Sequence, residues 1–357
     1  MIPQLIRQAR KLRTESSLTH VCSCQYAFIG MGSHSMANLY PVLAMLHVPL
    51  KYICVTSPRK ARLISLQLNT SLHPSATTAT TSLDTVLSDP DVSAVFLSAS
   101  PAAHFRLSSE VMQSGKTLFV EKPPCRNLSQ LEQLISLQAS TGTFVQVGMQ
   151  KRFAPSVRTL KSRLDGIHGP CHYSLRYCMG RYPEGDPLSE LFIHPLDLVC
   201  HLFGPARLVA STRSSSHTLL LMLAHGSTVG TFELSTGYSW DAPVEQLSVC
   251  TPKGLFALSS ISTLTFQPFP SSVGGIPWEK IRHSQVFEEH LCRHDDFSPT
   301  LASSLWVEHG FYHELQSFVA AVEHPVSFSS IASLGLQPTL QSLRPVYELM
   351  QALSPLF

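Results

Sequence analysis

From Tyr26 to Val147 short apolar runs alternate with helical stretches, and that rhythm limits the fold more than any other feature of the chain. Residues 26–30, 50–55, 94–98, 117–120 and 144–147 read as buried strands, each a few apolar residues long. Between them, residues 35–46, 58–68, 81–88, 102–114 and 129–140 carry the spacing of helices. Ser129 and Glu132 have the spacing of a capping box at the start of the last of these. Such alternation predicts an α/β fold with a doubly wound parallel sheet.

The texture changes near Lys151. Helices are expected over residues 155–164 and about 188–203, flanking a strand at 172–178 and a loop rich in Gly and Pro. Residues 208–266 are a series of strand-like runs separated by Ser, Gly and Pro, which predicts an α+β lobe with a large, mostly antiparallel open sheet. Residues 267–305 read as an irregular excursion, and helices at about 307–322 and 333–353 close the chain. The division expected is an N-terminal helical extension (1–20), a parallel-sheet domain (21–150) and an α+β domain (151–357).

Composition narrows the function classes. A chain of 357 residues supports two hydrophobic cores more readily than one. A net charge of +2 is too near neutral for a nucleic-acid or membrane surface, and no apolar run is long enough for a membrane-spanning helix. Nine scattered cysteines read as reduced thiols of a cytoplasmic protein rather than a disulfide framework. Arg7, Arg10, Lys11 and Arg13 precede the first acid, Glu15, without the apolar core of a secretory signal. A surface helix is the reading adopted there, with a mitochondrial presequence as the alternative. Cys22-x-Cys24, His194-x-x-Asp197-x-x-x-His201 and His290-x-Cys292-x-His294 lack further ligands, so no metal is expected.

Gly30-Met-Gly32-Ser33-His-Ser35 follows the first strand and opens the first helix, fitting G-x-G-x-x-G with a small serine in the third place. Gly30 allows the tight turn, and Gly32 lets a pyrophosphate approach the backbone at a helix N-terminus. An NAD-specific domain usually carries an acid about twenty residues further on, for the ribose hydroxyls. Between Glu15 and Asp84 there is none; the second strand ends in Thr56-Ser57-Pro58-Arg59-Lys60. A hydroxyl and two cations suit a 2′-phosphate, so NADP is expected, with NAD as the alternative.

The stretch from Ser98 through Ser100-Pro101, His104 and Gly115-Lys116 to Phe119-Val-Glu121-Lys122-Pro123 resembles the glucose–fructose oxidoreductase/inositol dehydrogenase (Gfo/Idh/MocA) family. Val147-Gly-Met-Gln-Lys-Arg152-Phe, the Glu190…His194-x-x-Asp197 segment ending in Phe203-Gly204, and Gly310-Phe-Tyr-His-Glu-Leu-Gln-Ser-Phe extend the resemblance in the family's order. It implies a two-domain fold, a Rossmann dinucleotide-binding domain (21–150) followed by a substrate-binding and oligomerisation domain (151–357), and a nicotinamide cofactor bound with the help of Ser33, Ser35, Ser100, Pro101, His104, Glu121 and Lys122. A sugar, polyol or nucleotide-sugar substrate is also implied, with homodimers or homotetramers built on the second domain's sheet. By position Lys122 is the lysine of the Glu-Lys-Pro motif and His194 the acid/base histidine. Glu190 stands where the family usually has Asp, and Asp186-Pro-Leu-Ser where its sugar dehydrogenases tend to have glycines.

Glu190, His194, Asp197 and His201 follow one another at steps of four, three and four, a polar stripe on one helix face that Pro195 interrupts or starts. Alcohol oxidation requires a base for the hydroxyl proton, and histidine titrates near neutrality. A lysine beside the reacting oxygen stabilises developing negative charge. The expected roles are therefore His194 as acid/base, Lys122 as its electrostatic partner and Glu190 as the group that tunes them. Asp197 is expected to hold substrate hydroxyls or support the histidine, and Arg152 to line the cleft or join the domains. Two other readings stay open: a nicotinamide-dependent glycoside hydrolase on the same scaffold, and a non-catalytic NADP-binding sensor.

Overall fold

The computed structural model describes residues 4–6, 8, 22–70, 77–270, 272–280, 287–293, 301, 303–324 and 337–356. The expected N-terminal extension, His294 and the start of the last expected helix fall largely outside them.

Six short strands form the first sheet: β1 (Gln25–Ile29), β2 (Leu50–Cys54), β3 (Thr78–Thr80), β4 (Val92–Leu97), β5 (Thr117–Glu121) and β6 (Val145–Gly148). They lie in the order β3-β2-β1-β4-β5-β6, and every pairing is parallel. Tyr26, Ala27, Phe28 and Ala94 to Leu97 are buried on both faces, which parallel sheets require. The crossovers hold α1 (Tyr40–Met45), α2 (Pro58–Thr70), α3 (Leu83–Leu87), α4 (Pro101–Gln113) and α5 (Leu128–Thr141). Helix α5 starts one residue before the expected capping box, with Asn127 as its N-cap. Asn127 Oδ1 accepts from Gln130 N–H at 3.0 Å, while Glu132 pairs with Arg344. Strand order reverses between β1 and β4, and ligands of open α/β sheets bind at the carboxyl ends of strands at such a point.

The second sheet runs β16-β13-β12-β11-β7-β10-β9-β8, from β7 (His172–Cys178) through β8 (Arg207–Ser215), β9 (Thr218–His225), β10 (Thr228–Ser235), β11 (Val244–Thr251), β12 (Gly254–Ser259) and β13 (Thr263–Pro268) to β16 (Glu289–Cys292). Only β7–β10 is parallel; the other pairings are antiparallel. A two-stranded ribbon, β14 (Ser272–Val273) with β15 (Ile276–Pro277), stands in the stretch read as irregular. On β9 the buried Leu219, Leu221 and Leu223 alternate with the exposed Leu220 and Met222, so one face is packed and the other open.

Apolar residues of α6 (Pro155–Asp165), α8 (Ile193–Phe203) and the C-terminal helix share one core with the packed face, with the single turn α7 (Pro187–Glu190) before α8. The continuous helix expected at 188–203 is thus two, broken at Leu191–Phe192. Pro195 sits in the first turn of α8, where no N–H is needed.

After the second sheet the chain returns to the first. Helix α9 (Leu305–Glu308) leads into α10 (Phe311–Glu323), whose Phe318 packs edge-on against Phe96 at 5.1 Å and Phe119 at 5.7 Å. Tyr26 Oη donates to Glu323 Oε1 at 2.8 Å, and Val147 N–H to the Pro338 carbonyl at 2.8 Å. The aromatic face of β1, β4 and β5 needs a cover, and α10 supplies it. The last helix, α11 (Arg344–Leu353), then packs into the core that the two sheets share.

Candidate active site

Gly30, at the end of β1, has φ +107°, and a Cβ there would lie 1.9 Å from the Ser98 carbonyl oxygen at the end of β4. Only glycine lets the two strand ends approach so closely. At Gly32 a Cβ would meet nothing within 4 Å, so backbone faces open space. Ser35 Oγ accepts the Gly32 N–H at 2.9 Å and reaches its carbonyl at 3.1 Å. Fully buried, it fixes the loop from behind. The chain then enters a π-turn over Ser35–Leu39 that continues into α1.

The loop borders a cavity of about 840 Å³ whose wall also holds Ser33, Ser57, Lys60, Ser100, Pro101, His104, Glu121, Lys122, Tyr182 and Glu190. Lys60 Nζ donates to the Met31 carbonyl at 2.6 Å, bringing a cation to the phosphate loop. Arg59 is exposed and off that wall.

His104, on α4, is buried. It accepts Ala99 N–H on Nε2 at 3.1 Å, so the ring proton sits on Nδ1 and is donated to the Pro123 carbonyl at 2.8 Å. Burial lowers its pKa and keeps the ring neutral. The imidazole thereby ties the turn after β4 to the Glu121-Lys122-Pro123 segment.

The Glu121 carboxylate stands under that segment. It lies 3.4 Å from His34 Nε2 and accepts Lys122 N–H at 3.2 Å. Burial would raise its pKa, but His34, Lys122 and His104 outweigh burial and hold it below the ordinary value. Lys122 Nζ donates to the Glu190 backbone carbonyl at 2.7 Å. Burial lowers the lysine pKa, opposed by the charges of Glu121 and Glu190. The Glu190 carboxylate points away, accepting Tyr182 Oη–H at 2.7 Å and Asp186 N–H at 3.3 Å. Its hold on Lys122 runs through the backbone and through charge.

His194 sits in the first turn of α8, 8 % exposed. Its pKa falls well below the usual value, chiefly by burial and then by the positive charges of Lys122, Lys151 and His34. The ring is held neutral at neutral pH, and it lies off the cavity wall that Lys122 lines. Lys151 ion-pairs with Glu245 and stands 4.7 Å over the Tyr177 ring.

Arg152 and Asp197 engage each other, away from the cavity wall. Arg152 Nε and Nη2 grip the carboxylate at 2.9 and 2.5 Å, and Nη1 reaches Ser342 Oγ at 3.2 Å. With 4 % and 2 % of their side chains exposed, the two close a buried fork that joins the segment after β6 to α8. The fork lies within the 151–357 division, so Arg152 neither lines that wall nor bridges the two expected domains through it, and the Asp197 carboxylate is engaged by Arg152.

Sequence reasoning did not single out His34, Lys151, Tyr182 or Glu314. His34 occupies a variable place in the glycine motif, and Tyr182 lies in a loop without periodicity. Lys151 was hidden beside Arg152.

A dinucleotide fits this cavity: a glycine-bounded loop offers bare backbone, Lys60 supplies charge, and no carboxylate stands at the end of β2. Residues 24–149 match the model of an oxidoreductase family with an NAD-binding Rossmann fold, GFO_IDH_MocA. The oxidoreductase YceM of Salmonella typhimurium is 33% identical over 132 residues, which is 35% of this chain and 41% of that protein. An inositol 2-dehydrogenase/D-chiro-inositol 3-dehydrogenase of Lactiplantibacillus plantarum is 28% identical over 189 residues, 50% of this chain and 51% of that enzyme. The chain thus spans about half, or less, of the length of these curated relatives. A dehydrogenase from Chromobacterium violaceum shares the fold with a TM-score of 0.74 over 94% of this chain and 95% of its own, at 19% identity. KijD10, a 3-ketoreductase from Actinomadura kijaniata solved with TDP-benzene and NADP, superposes with a TM-score of 0.66 over 92% of this chain and 96% of its own, at 15% identity. Among the described residues no helix is long and apolar enough to cross a membrane. Over residues 24–149, its N-terminal parallel-sheet domain, the chain is similar to the Gfo/Idh/MocA family of oxidoreductases with an NAD-binding Rossmann fold.

Proposed function

We propose that the protein is an NADP(H)-dependent oxidoreductase that moves hydride between the nicotinamide and a hydroxyl or keto carbon of a sugar, polyol or nucleotide sugar. The observation that carries this reading is one cavity whose wall includes both the glycine loop Gly30–His34 and Lys122. A cofactor held by that loop and a substrate held at Lys122 share a single space.

Gly30, Gly32 and Ser33 would take the pyrophosphate, Ser57 and Lys60 the 2′-phosphate, and Ser100, Pro101 and Glu121 would border the rest. When bound, the nicotinamide accepts or returns a hydride. The chain's own groups handle the proton and the charge. Neutral His194 takes the hydroxyl proton as an alcohol is oxidised, and returns it in reduction. Lys122 leaves the Glu190 carbonyl to donate to the substrate oxygen, where charge develops. Glu121 and Glu190 help keep that ammonium charged against burial. NADP rather than NAD is favoured by Lys60 and by the lack of an acid between Glu15 and Asp84.

Replacement of the two groups tests the assignment. With NADPH or NADP and a panel of inositols, hexoses and nucleotide sugars, Lys122→Met should lower kcat/KM about 10²–10³-fold. His194→Gln should lower it at least about 10²-fold. NADPH binding, followed by fluorescence, should persist in both. Wild-type turnover by either variant would remove that residue from the chemistry.

A further inference from the structure

Beside the proposed cofactor cleft lies a second cavity of about 480 Å³, within the range of small-ligand sites. Tyr182 borders each cavity, and its hydroxyl holds the Glu190 carboxylate that faces the cleft. The opposite wall is the β8–β9 turn, with Arg213, Ser216 and His217.

Arg181, Arg213 and His217 therefore converge on one space next to the reacting centre. Among the described residues neither guanidinium meets a carboxylate; Arg213 makes one long contact, 3.4 Å to the Ser216 carbonyl. The only acid on this wall, Asp186, is already engaged. It accepts Leu188 N–H at 3.2 Å, Ser189 N–H at 3.1 Å and Ser189 Oγ–H at 2.6 Å. The wall is also braced: Trp240 Nε1 donates to the Arg181 carbonyl at 2.8 Å, and the indole covers Gly180 so closely that a Cβ there would lie 2.2 Å from the ring. Two guanidinium forks on the wall of one cavity, Arg181 on the braced loop and Arg213 on β8, match a phosphoryl oxyanion.

We propose that this cavity is a second subsite, which binds a phosphoryl group carried by the substrate through Arg181 and Arg213. The inference deepens the proposed reaction and rests on it: the physiological substrate is a phosphorylated or diphosphate-linked sugar, and the reacting ring enters past Tyr182 toward Lys122.

The test uses the full chain saturated with NADPH, so that the cofactor's own phosphate positions are filled. Inorganic phosphate, pyrophosphate and acetate are titrated by calorimetry at fixed ionic strength. Saturable binding of phosphate or pyrophosphate is expected, weakened about tenfold or more in R181Q/R213Q. The control R163Q/R207Q, which removes the same charge elsewhere, should bind as the parent does. Preference for pyrophosphate identifies a diphosphate ester, and preference for phosphate a monoester. Binding no stronger than that of acetate, or equal loss in the control, would overturn the subsite. Failure of NADPH itself to bind is a separate result: it sinks the cofactor reading, while the difference between parent and R181Q/R213Q still decides the phosphoryl site.

Discussion

Glu314 on α10 is fully buried, and burial together with the charge of Glu121 pushes its pKa well above that of an ordinary carboxyl. The sign of its effect on stability follows from linkage. Above about pH 4.5 the unfolded chain ionises this group and gains from it, whereas the folded protein keeps the proton. Native stability is therefore drained as pH rises from the unfolded pKa toward the folded one. Glu314→Gln removes that drain, so the variant should be more stable than the parent at pH 8, with the gap closing toward pH 4. Thermal melts across that range check it, and a pH-independent difference would contradict it. The backbone roles of Gly30 and Gly32 were legible in the sequence because each serves a local need, a tight turn and an open approach to the backbone. Glu190, Asp197 and Arg152 were not legible in their contacts, because a stripe on a helix says which face a side chain shares and not which partner it finds. Tyr182 and Asp186 claim the Glu190 carboxylate from a loop, and Arg152 arrives from a different element.

Strands and helices of the first sheet were readable from period and punctuation, except β3, three residues of Thr-Ala-Thr too short to show a pattern. The break between α7 and α8 was half readable: Pro195 announced it, but the interruption falls at Leu191–Phe192, so that the proline sits in a first turn. What joins the elements was hidden. The Arg152–Asp197 fork spans 45 positions in sequence, and α10 returns more than 150 residues after the strands that it covers. Removing one partner of a buried ion pair strands the other charge. Arg152→Met should cost roughly 3–5 kcal/mol in urea unfolding, and the double replacement R152M/D197L should recover much of that. A double variant as unstable as the single one would show that the fork is not what holds the segment after β6 to α8.

At the scale of the molecule, one face of the second sheet lacks cover among the described residues. Val209, Leu220, Met222 and Val229 stand exposed on β8, β9 and β10, an apolar set that a lone protomer leaves in water. We propose that copies of the chain associate through this face as a homodimer or homotetramer. Sedimentation should then show an oligomer that L220E/M222E reduces to the monomer, and a monomeric parent would contradict it. The account as a whole rests on the cleft between the first sheet and segment 181–190 being a dinucleotide site that prefers the extra phosphate. The direct measurement is a titration of the purified protein with NADPH and with NADH at fixed salt, followed by quenching of protein fluorescence, on the parent and on Lys60→Ala. The account predicts NADPH binding at least about tenfold tighter than NADH, and loss of most of that preference in Lys60→Ala. Equal or tighter NADH binding would contradict the role given to Ser57 and Lys60, and binding of neither would contradict the oxidoreductase itself.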